Sequence, residues 1–258
     1  MADAGSTEAR VGAEIQAVAR AAQILRLFAP ERARLTAAEA AELLHLNRTT
    51  TYRYCTSLVA AGLLERGIES GTFVPGALLV QLGAFAIGRR QVVDLASNHM
   101  RGLSADTGLT SVLSLWGSIG PVVSRVEEET TRSVVVTVRV GTQLSLSSAQ
   151  AKIFLAHQRD RARADRLLGV LPDDLRAQVG REIRELAATG EIAVGADGLG
   201  IHAIAAPVFD EYGICASIAL IGTNDMLPLD VNTDTAERLR QAASALTREM
   251  GGIAPADR

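Results

Sequence analysis

The chain has 258 residues, 48% of them hydrophobic, and a formal net charge of −3. This length and apolar content exclude a largely disordered protein and favour two domains with buried cores. The two cysteines, Cys55 and Cys215, lie far apart, so a disulfide framework is not expected and a reducing cytoplasm fits better. We find no secretory signal pattern and no apolar run of about 18 residues, so we expect no membrane partner.

The first predicted elements form a three-helix core. A helix with an apolar face is followed, between Leu35 and Arg66, by two short amphipathic helices joined by a tight turn. In the second of these, Thr51, Cys55 and Leu58 recur at i, i+4 and i+7 and are predicted to face the core. The apolar residues predicted for the core face of the first helix are Val18, Ala21, Ala22, Leu25 and Phe28.

The opposite side of the third helix carries hydroxyl and guanidinium groups. No acidic residue occurs between Glu42 and Glu65, so nothing on this helix repels a polyanion. Such groups reach phosphates and base edges, and arginine can contact guanine bidentately. This division favours a DNA recognition helix over the alternative, a threonine-rich surface helix in an ordinary bundle. The predicted DNA-contacting residues are Arg48, Thr49, Thr50, Tyr52, Arg53 and Thr56.

A predicted β-hairpin follows the recognition helix. The segments 63–66 and 72–76 are short and strand-like, and they flank a polar turn from Gly67 to Gly71. A hairpin in this place is typical of the wing of a winged helix. Residues 14–76 contain seven Arg and six Glu, a net charge of only +1. This predicts weak non-specific binding and a dimer that reads two half-sites of operator DNA.

The rest of the chain alternates strands and helices. Residues 77–91 are predicted to form an apolar linker helix, which packs either on its own domain or on the same helix of a second subunit. Strands early and late with helices between them predict an α+β domain. The predicted helices are 93–107, 149–158, 160–168, 172–180, 181–189 and 233–250, and the predicted strands are 110–116, 120–126, 133–140, 203–210 and 214–221.

Several segments together resemble the isocitrate lyase regulator (IclR) family. They are VARAAQILRLFA, LTAAEAAELLHL, RTTTYRYCTSLVAAGLLER and GTFVPG in the first part, and VRVGTQLSL, AQAKIFLAH and IAAPVFDEYG in the second. The resemblance implies a winged helix-turn-helix domain at 14–76, a linker helix at 77–91 and a GAF-like effector-binding domain with an antiparallel sheet at 92–252. It also implies a homodimer or a dimer of dimers.

The same resemblance implies an effector site. Departures from the family pattern, such as Ala219 and Ile221 where several members present hydroxyls, do not favour glyoxylate-type or pyruvate-type ligands. Since an apolar wall penalises a buried carboxylate, a larger, partly apolar or aromatic organic effector is expected. Ser147 and Ser148 have the alternative role of capping a helix, and Trp116 that of filling the core. The matching residues are Leu144, Leu146, Ser147, Ser148, Ala149, Ala151, Ile201, Ala203, Ile204, Ala219 and Ile221, with Trp116 as a further contributor.

No catalytic or metal-binding arrangement stands out. The four histidines are scattered without a partner at i+3 or i+4, and the Gly-rich segment 195–200 precedes a strand instead of opening a helix. We therefore expect no enzyme, no metal and no cofactor. The hypothesis is a ligand-responsive transcriptional regulator, with repressor the favoured role. Two alternatives stay open, a DNA-binding protein whose second domain serves only assembly, and an enzyme with an accessory helix-turn-helix.

Overall fold

The computed structural model describes residues 15–88, 91–129, 135–158, 160–189 and 192–253. The chain divides into two compact units, Met1–Phe85 and Ala86–Arg258. The first unit contains α1 (Gln16–Leu25), β1 (Leu35–Thr36), α2 (Ala37–Leu43), α3 (Arg48–Ala60), β2 (Leu64–Arg66) and β3 (Thr72–Pro75). The fourth helix, α4 (Ala77–Gly88), begins in the first unit and ends in the second.

The first unit is a winged helix, as the sequence predicted. Its three strands pair in the order β1-β3-β2, so the wing hairpin gains a short third strand that the sequence did not indicate. The core cluster contains Ile24, Cys55, Leu58, Leu64 and Phe73. The sequence predicted that Val18 of α1 faces the core, and this is wrong, because Val18 is 64% exposed. Packing on the core begins one turn later, at Ala21.

Local contacts define where the helices of the first unit begin. Thr36 and Glu39 form a capping box at the start of α2. Gly76, between β3 and α4, is required by space, because a Cβ atom there would lie 2.4 Å from the Gly62 carbonyl oxygen. The backbone that follows β3 therefore lies directly against the backbone of Gly62, in the turn after α3.

The second unit is an α+β domain built on a five-stranded antiparallel sheet in the order β5-β4-β8-β7-β6. Its strands are β4 (Thr110–Trp116), β5 (Pro121–Glu127), β6 (Ala193–Ala196), β7 (Ile201–Asp210) and β8 (Gly213–Thr223). Its helices are α5 (Gln91–Thr107), α6 (Ala149–His157), α7 (Arg161–Leu168), α8 (Asp173–Thr189) and α9 (Asp234–Glu249).

Two apolar clusters lie on opposite faces of this sheet. Successive side chains of a strand point to opposite faces, so Ile204, Ile218 and Leu220 join the cluster that contains residues of α5 and α9. Their neighbours Ala205 and Ala219 join a cluster with residues of α6, α7 and α8. Among the helices within the described ranges, none is both long and apolar enough to cross a membrane.

Two sequence predictions for this unit are wrong, and one strand was missed. The segment 133–140 was predicted to be a strand, but residues 135–140 have no regular secondary structure. Residues 133 and 134 lie outside the described residues. The separate helices 172–180 and 181–189 are the single helix α8, and the strand β6 was not predicted. The predicted linker helix 77–91 contains α4 (Ala77–Gly88), and Gln91 begins α5; residues 89 and 90 lie outside the described ranges.

The failed strand has a physical explanation. Residues such as Val135 and Val136 have high β propensity, but a strand exists only where its backbone finds a partner. Here Thr110 Oγ1 donates a 2.5 Å hydrogen bond to the Val136 carbonyl, a side-chain contact instead of a backbone ladder. The chain meets β5 only further on, where Val123 exchanges backbone hydrogen bonds with Gly141 and Thr142.

Candidate nucleic-acid interface and effector face

The recognition helix α3 separates its two sides as predicted. Thr51, Cys55 and Leu58 are buried. The predicted DNA-contacting residues, by contrast, all lie on the exposed side of the helix: Arg48, Thr49, Thr50, Tyr52, Arg53 and Thr56.

The N-terminus of α3 is rigidly capped. The side-chain oxygen of Asn47 accepts hydrogen bonds from the Thr49 and Thr50 amides at 2.9 and 3.3 Å. Thr51 Oγ1 donates a hydrogen bond to the Asn47 carbonyl at 3.1 Å. The two bonds to the Asn47 side chain satisfy amides that a helix end leaves unpaired, and all three bonds hold the first turn in one geometry. The first turn carries Arg48, so its guanidinium extends from a fixed backbone.

Tyr52 contacts the wing through a hydrogen bond with Arg66. Arg66 Nη2 donates a 3.3 Å hydrogen bond to the Tyr52 hydroxyl, and the guanidinium lies 4.8 Å from the centre of the Phe73 ring. The hydrogen bond and positive charge of Arg66 lower the pKa of Tyr52. Arg66 therefore joins the recognition helix to both strands of the wing. The sequence assigned Arg66 no role, because a contact over 14 residues leaves no periodic pattern.

Both acidic groups near the wing are engaged elsewhere. Glu69 forms a 2.6 Å ion pair with Arg34, and Glu65 Oε1 accepts a 2.8 Å hydrogen bond from the Ala77 amide at the start of α4. Arg48 and Arg53 form no ion pair with any other described residue. The two arginines of the exposed face thus keep their charge available for a polyanion.

The structure brings most of the predicted effector residues to one face of the sheet. Leu146, Ala149 and Ala219 belong to one cluster, with Ala203 and Trp116 packed against it. Ala203 lies opposite Ile221 in the β7–β8 ladder. Ala151 is fully buried, and Leu144, Ser147, Ser148, Ile201 and Ile221 are half-buried. Ile204 is not part of this group, because it lies in the cluster on the opposite face.

The hydroxyl groups near α6 already have partners. Ser148 accepts a 3.2 Å hydrogen bond from the Ala151 amide and so caps α6, as the alternative interpretation held. Ser147 Oγ lies 2.7 Å from Ser145 Oγ. Apart from these hydroxyl groups, the predicted effector residues on this side of the sheet are predominantly apolar. We define the effector face as Leu146, Ala149, Ala203, Ala219 and Ile221.

Two polar residues of α6 that the sequence did not assign hold this helix on the sheet. The buried Gln150 donates to the carbonyls of Val112 and Ser217 at 3.2 and 2.9 Å, and it accepts a 3.0 Å bond from Ser114. It therefore spans β4 and β8. Lys152 contacts α8 through Glu182 and β6 through the Val194 carbonyl. Within the described ranges, no three His, Cys, Asp or Glu side chains are grouped so as to hold a metal ion.

A winged helix with an exposed, capped recognition helix, followed by an α+β domain, defines the class of DNA-binding transcriptional regulators. The model of the IclR helix-turn-helix domain matches residues 17–67, and that of the bacterial transcriptional regulator IclR C-terminal domain matches residues 84–248. The chain belongs to the IclR family of transcriptional regulators.

Individual relatives agree with this assignment. The chain is 26% identical to the HTH-type transcriptional regulator XynR of Escherichia coli K12, over 92% of this chain and 98% of that protein. A crystal structure of an IclR transcriptional regulator from Silicibacter sp. TM1040 has a TM-score of 0.80 at 24% identity, covering 93% of this chain and 98% of that one. An IclR homologue from Microbacterium hydrocarbonoxydans in complex with 4-hydroxybenzoate has a TM-score of 0.68 at 22% identity, covering 91% and 98%.

Proposed function

We propose that this protein is a ligand-responsive repressor that binds operator DNA through α3 and the wing. The observation that carries the DNA-binding mode is the capped recognition helix, on which Arg48 and Arg53 are exposed and form no ion pair within the described part of the chain. In this proposal the two arginines read base edges or phosphates in the major groove, together with Thr49, Thr50 and Thr56. Tyr52 acts chiefly by positioning the wing through Arg66.

The working unit in this proposal is a homodimer. The first domain has little net positive charge, so a single copy is expected to bind operator weakly. Apolar side chains of α4 are exposed in the single chain, with Val80 at 70%, Leu82 at 51% and Ile87 at 44%. A helix that is apolar on most sides requires a cover. The same helix of a second subunit supplies that cover and brings two recognition helices to two half-sites.

The proposed signal is a small, partly apolar or aromatic organic molecule bound at the effector face. The apolar character of Leu146, Ala203 and Ala219 supports this chemistry, and the Microbacterium homologue that binds 4-hydroxybenzoate is consistent with an aromatic ligand. An effector that binds one dimer arrangement more tightly changes the spacing of the recognition helices and thereby the operator affinity.

DNA binding is tested by fluorescence anisotropy of the full-length protein on its own upstream intergenic DNA, with random DNA as a control, across a salt series. Arg48→Ala and Arg53→Ala are each expected to cost roughly 1–3 kcal/mol of specific binding. Arg163→Ala, which removes an exposed arginine of α7, is the matched control and should leave binding unchanged. Unchanged specific binding in the Arg48/Arg53 double variant would contradict the proposal.

One specific observation favours a second candidate, in which the α+β domain binds no effector and serves assembly only. Ala219 and Ile221 provide no hydroxyl groups, and Ser148 is already used as a helix cap. Thermal shift against a panel of small organic acids that includes 4-hydroxybenzoate separates the two candidates, because a ligand that binds the folded state raises Tm. A concentration-dependent rise supports the effector role, and no rise with any member supports assembly alone.

A further inference from the structure

A cavity of about 330 Å³ lies in the second unit, where the end of α6 meets the turn between β7 and β8. Trp116 from the end of β4, Phe154 and His157 from α6, and Gln158 form part of its wall, and residues 212–215 complete it. The cavity shares only Trp116 with the residues that the family resemblance assigned to the effector. Its volume lies at the small end of the range for ligand sites and fits a molecule with a single ring.

Three buried polar atoms belong to residues of this wall. They are Trp116 Nε1, His157 Nε2 and Gln158 Oε1, and none of them has a hydrogen-bond partner within the described part of the chain. Buried polar atoms without partners cost stability and are rare in folded proteins. All three belong to residues of one cavity wall, so small rotations of these side chains would let a bound molecule supply the missing hydrogen bonds.

The chemistry of these atoms restricts that molecule. Trp116 Nε1 only donates and Gln158 Oε1 only accepts, so the molecule must offer both an acceptor and a donor. Burial, assisted by the nearby charge of Arg161, lowers the pKa of His157 to about 4, so its imidazole is neutral at neutral pH. No Lys, Arg, Asp or Glu is among the described residues that line the cavity. An ionised carboxylate would therefore find no cation in the wall itself, since the nearby Arg161 donates a 3.3 Å hydrogen bond from Nη1 to the Leu155 carbonyl.

Aromatic rings form much of the remaining wall. The Trp116 and Phe154 ring centres are 5.4 Å apart, and the His157 ring packs edge-on against Phe209 at 5.1 Å. Such rings favour an aromatic ligand through stacked or edge-to-face contacts. We propose that this cavity is a binding site for a small uncharged aromatic molecule that carries an amide or hydroxyl group, separate from the effector face.

Trp116 is the sole tryptophan of the chain, and its fluorescence reports on this cavity and on the effector face, against which it also packs. The full-length protein is titrated with benzamide, and with benzoate and toluene for comparison. We expect a saturable change in tryptophan emission with benzamide, at an affinity at least tenfold higher than for either comparison compound. No saturable change with benzamide would overturn the proposal and indicate a water-filled cavity. Equal binding of toluene would also overturn it, because toluene cannot form the proposed hydrogen bonds.

Two variants locate the binding. His157→Phe keeps a ring against Phe209 and removes Nε2, and Gln158→Met removes Oε1. Each is expected to weaken benzamide binding at least fivefold, whereas Ser147→Ala, beside the effector face, should not. Full affinity in both cavity variants, or a loss confined to Ser147→Ala, would overturn the proposal.

Thermal unfolding shows that each variant is folded, and operator binding is measured on the same samples. Benzamide binding without operator binding would overturn the proposed function alone. Operator binding without benzamide binding would overturn the cavity proposal alone.

Discussion

Nζ of Lys152 lies 2.5 Å from Oε2 of Glu182. The same ammonium group donates a 2.8 Å hydrogen bond to the carbonyl of Val194. The Lys152 side chain is 8% exposed and that of Glu182 is 30% exposed. One side chain therefore joins three elements of the second unit: α6, α8 and the edge strand β6. The chain has 26 Lys and Arg residues, and Lys152 is its only lysine. A compact ammonium group suits this enclosed place better than a planar guanidinium.

We expect Lys152→Met to lower the free energy of unfolding by about 3 kcal/mol, because it leaves the Glu182 carboxylate without its partner in a largely buried place. Glu182→Gln should also destabilise, since it leaves the ammonium uncompensated. The double variant is expected to recover a large part of the loss. Urea denaturation of the wild type, the two single variants and the double variant measures the interaction energy between Lys152 and Glu182. Losses that simply add would show that the two groups act independently.

The same pair predicts how stability depends on pH. Burial alone would raise the pKa of Glu182, but hydrogen bonds from Lys152 and Gln178 and the charge of Lys152 outweigh it and lower that pKa below 4.5. A depressed folded-state pKa contributes stability above the unfolded value, and this contribution is lost as the pH falls through the folded value. Between pH 6 and pH 3, Tm of the wild type should fall more steeply than Tm of the Lys152→Met/Glu182→Gln variant. Parallel curves would contradict this.

The turn between α2 and α3 contains a strained residue. His45 has φ = 52°, in the left-handed region that glycine adopts without cost. His45→Gly is expected to stabilise the protein by roughly 1 kcal/mol, measured as a higher urea midpoint. His45→Ala, which keeps a Cβ atom, is the matched control and should bring no gain. A loss of stability in the glycine variant would show that the imidazole makes a contribution larger than the strain.

The link between Tyr52 and Arg66 is open to direct titration. Because Arg66 lowers the pKa of Tyr52, the difference in tyrosinate absorbance between the wild type and Tyr52→Phe should show ionisation below the ordinary pKa of 10. In an Arg66→Met background the same difference should move up to the ordinary value. Arg66→Met is also expected to weaken operator binding by releasing the wing. An unchanged titration in that background would mean that the two side chains do not interact in solution.

Features that depend on local pattern could be predicted from the sequence. Thr51, Cys55 and Leu58 lie one or two helical turns apart, and that spacing alone predicts which side of α3 is buried. The strands 110–116 and 203–210 and the final helix were predicted for the same reason, since each carries an apolar period or a β-branched run bounded by turn residues. The exposed arginines of α3 follow directly from the buried side of the helix.

What the sequence alone determined is the order of these elements and, for α3, the face that is buried, because periodicity and capping act within a few residues of the chain. The tertiary structure decided everything that requires a partner distant in sequence. Residues 135–140 have strand propensity but find no backbone ladder, whereas Ala193–Ala196 becomes a strand because β7 pairs with it. Likewise, the Lys152–Glu182 pair and the cavity beside His157 depend on how α6, α8 and the β7–β8 turn pack. Such contacts leave no periodic trace in the sequence.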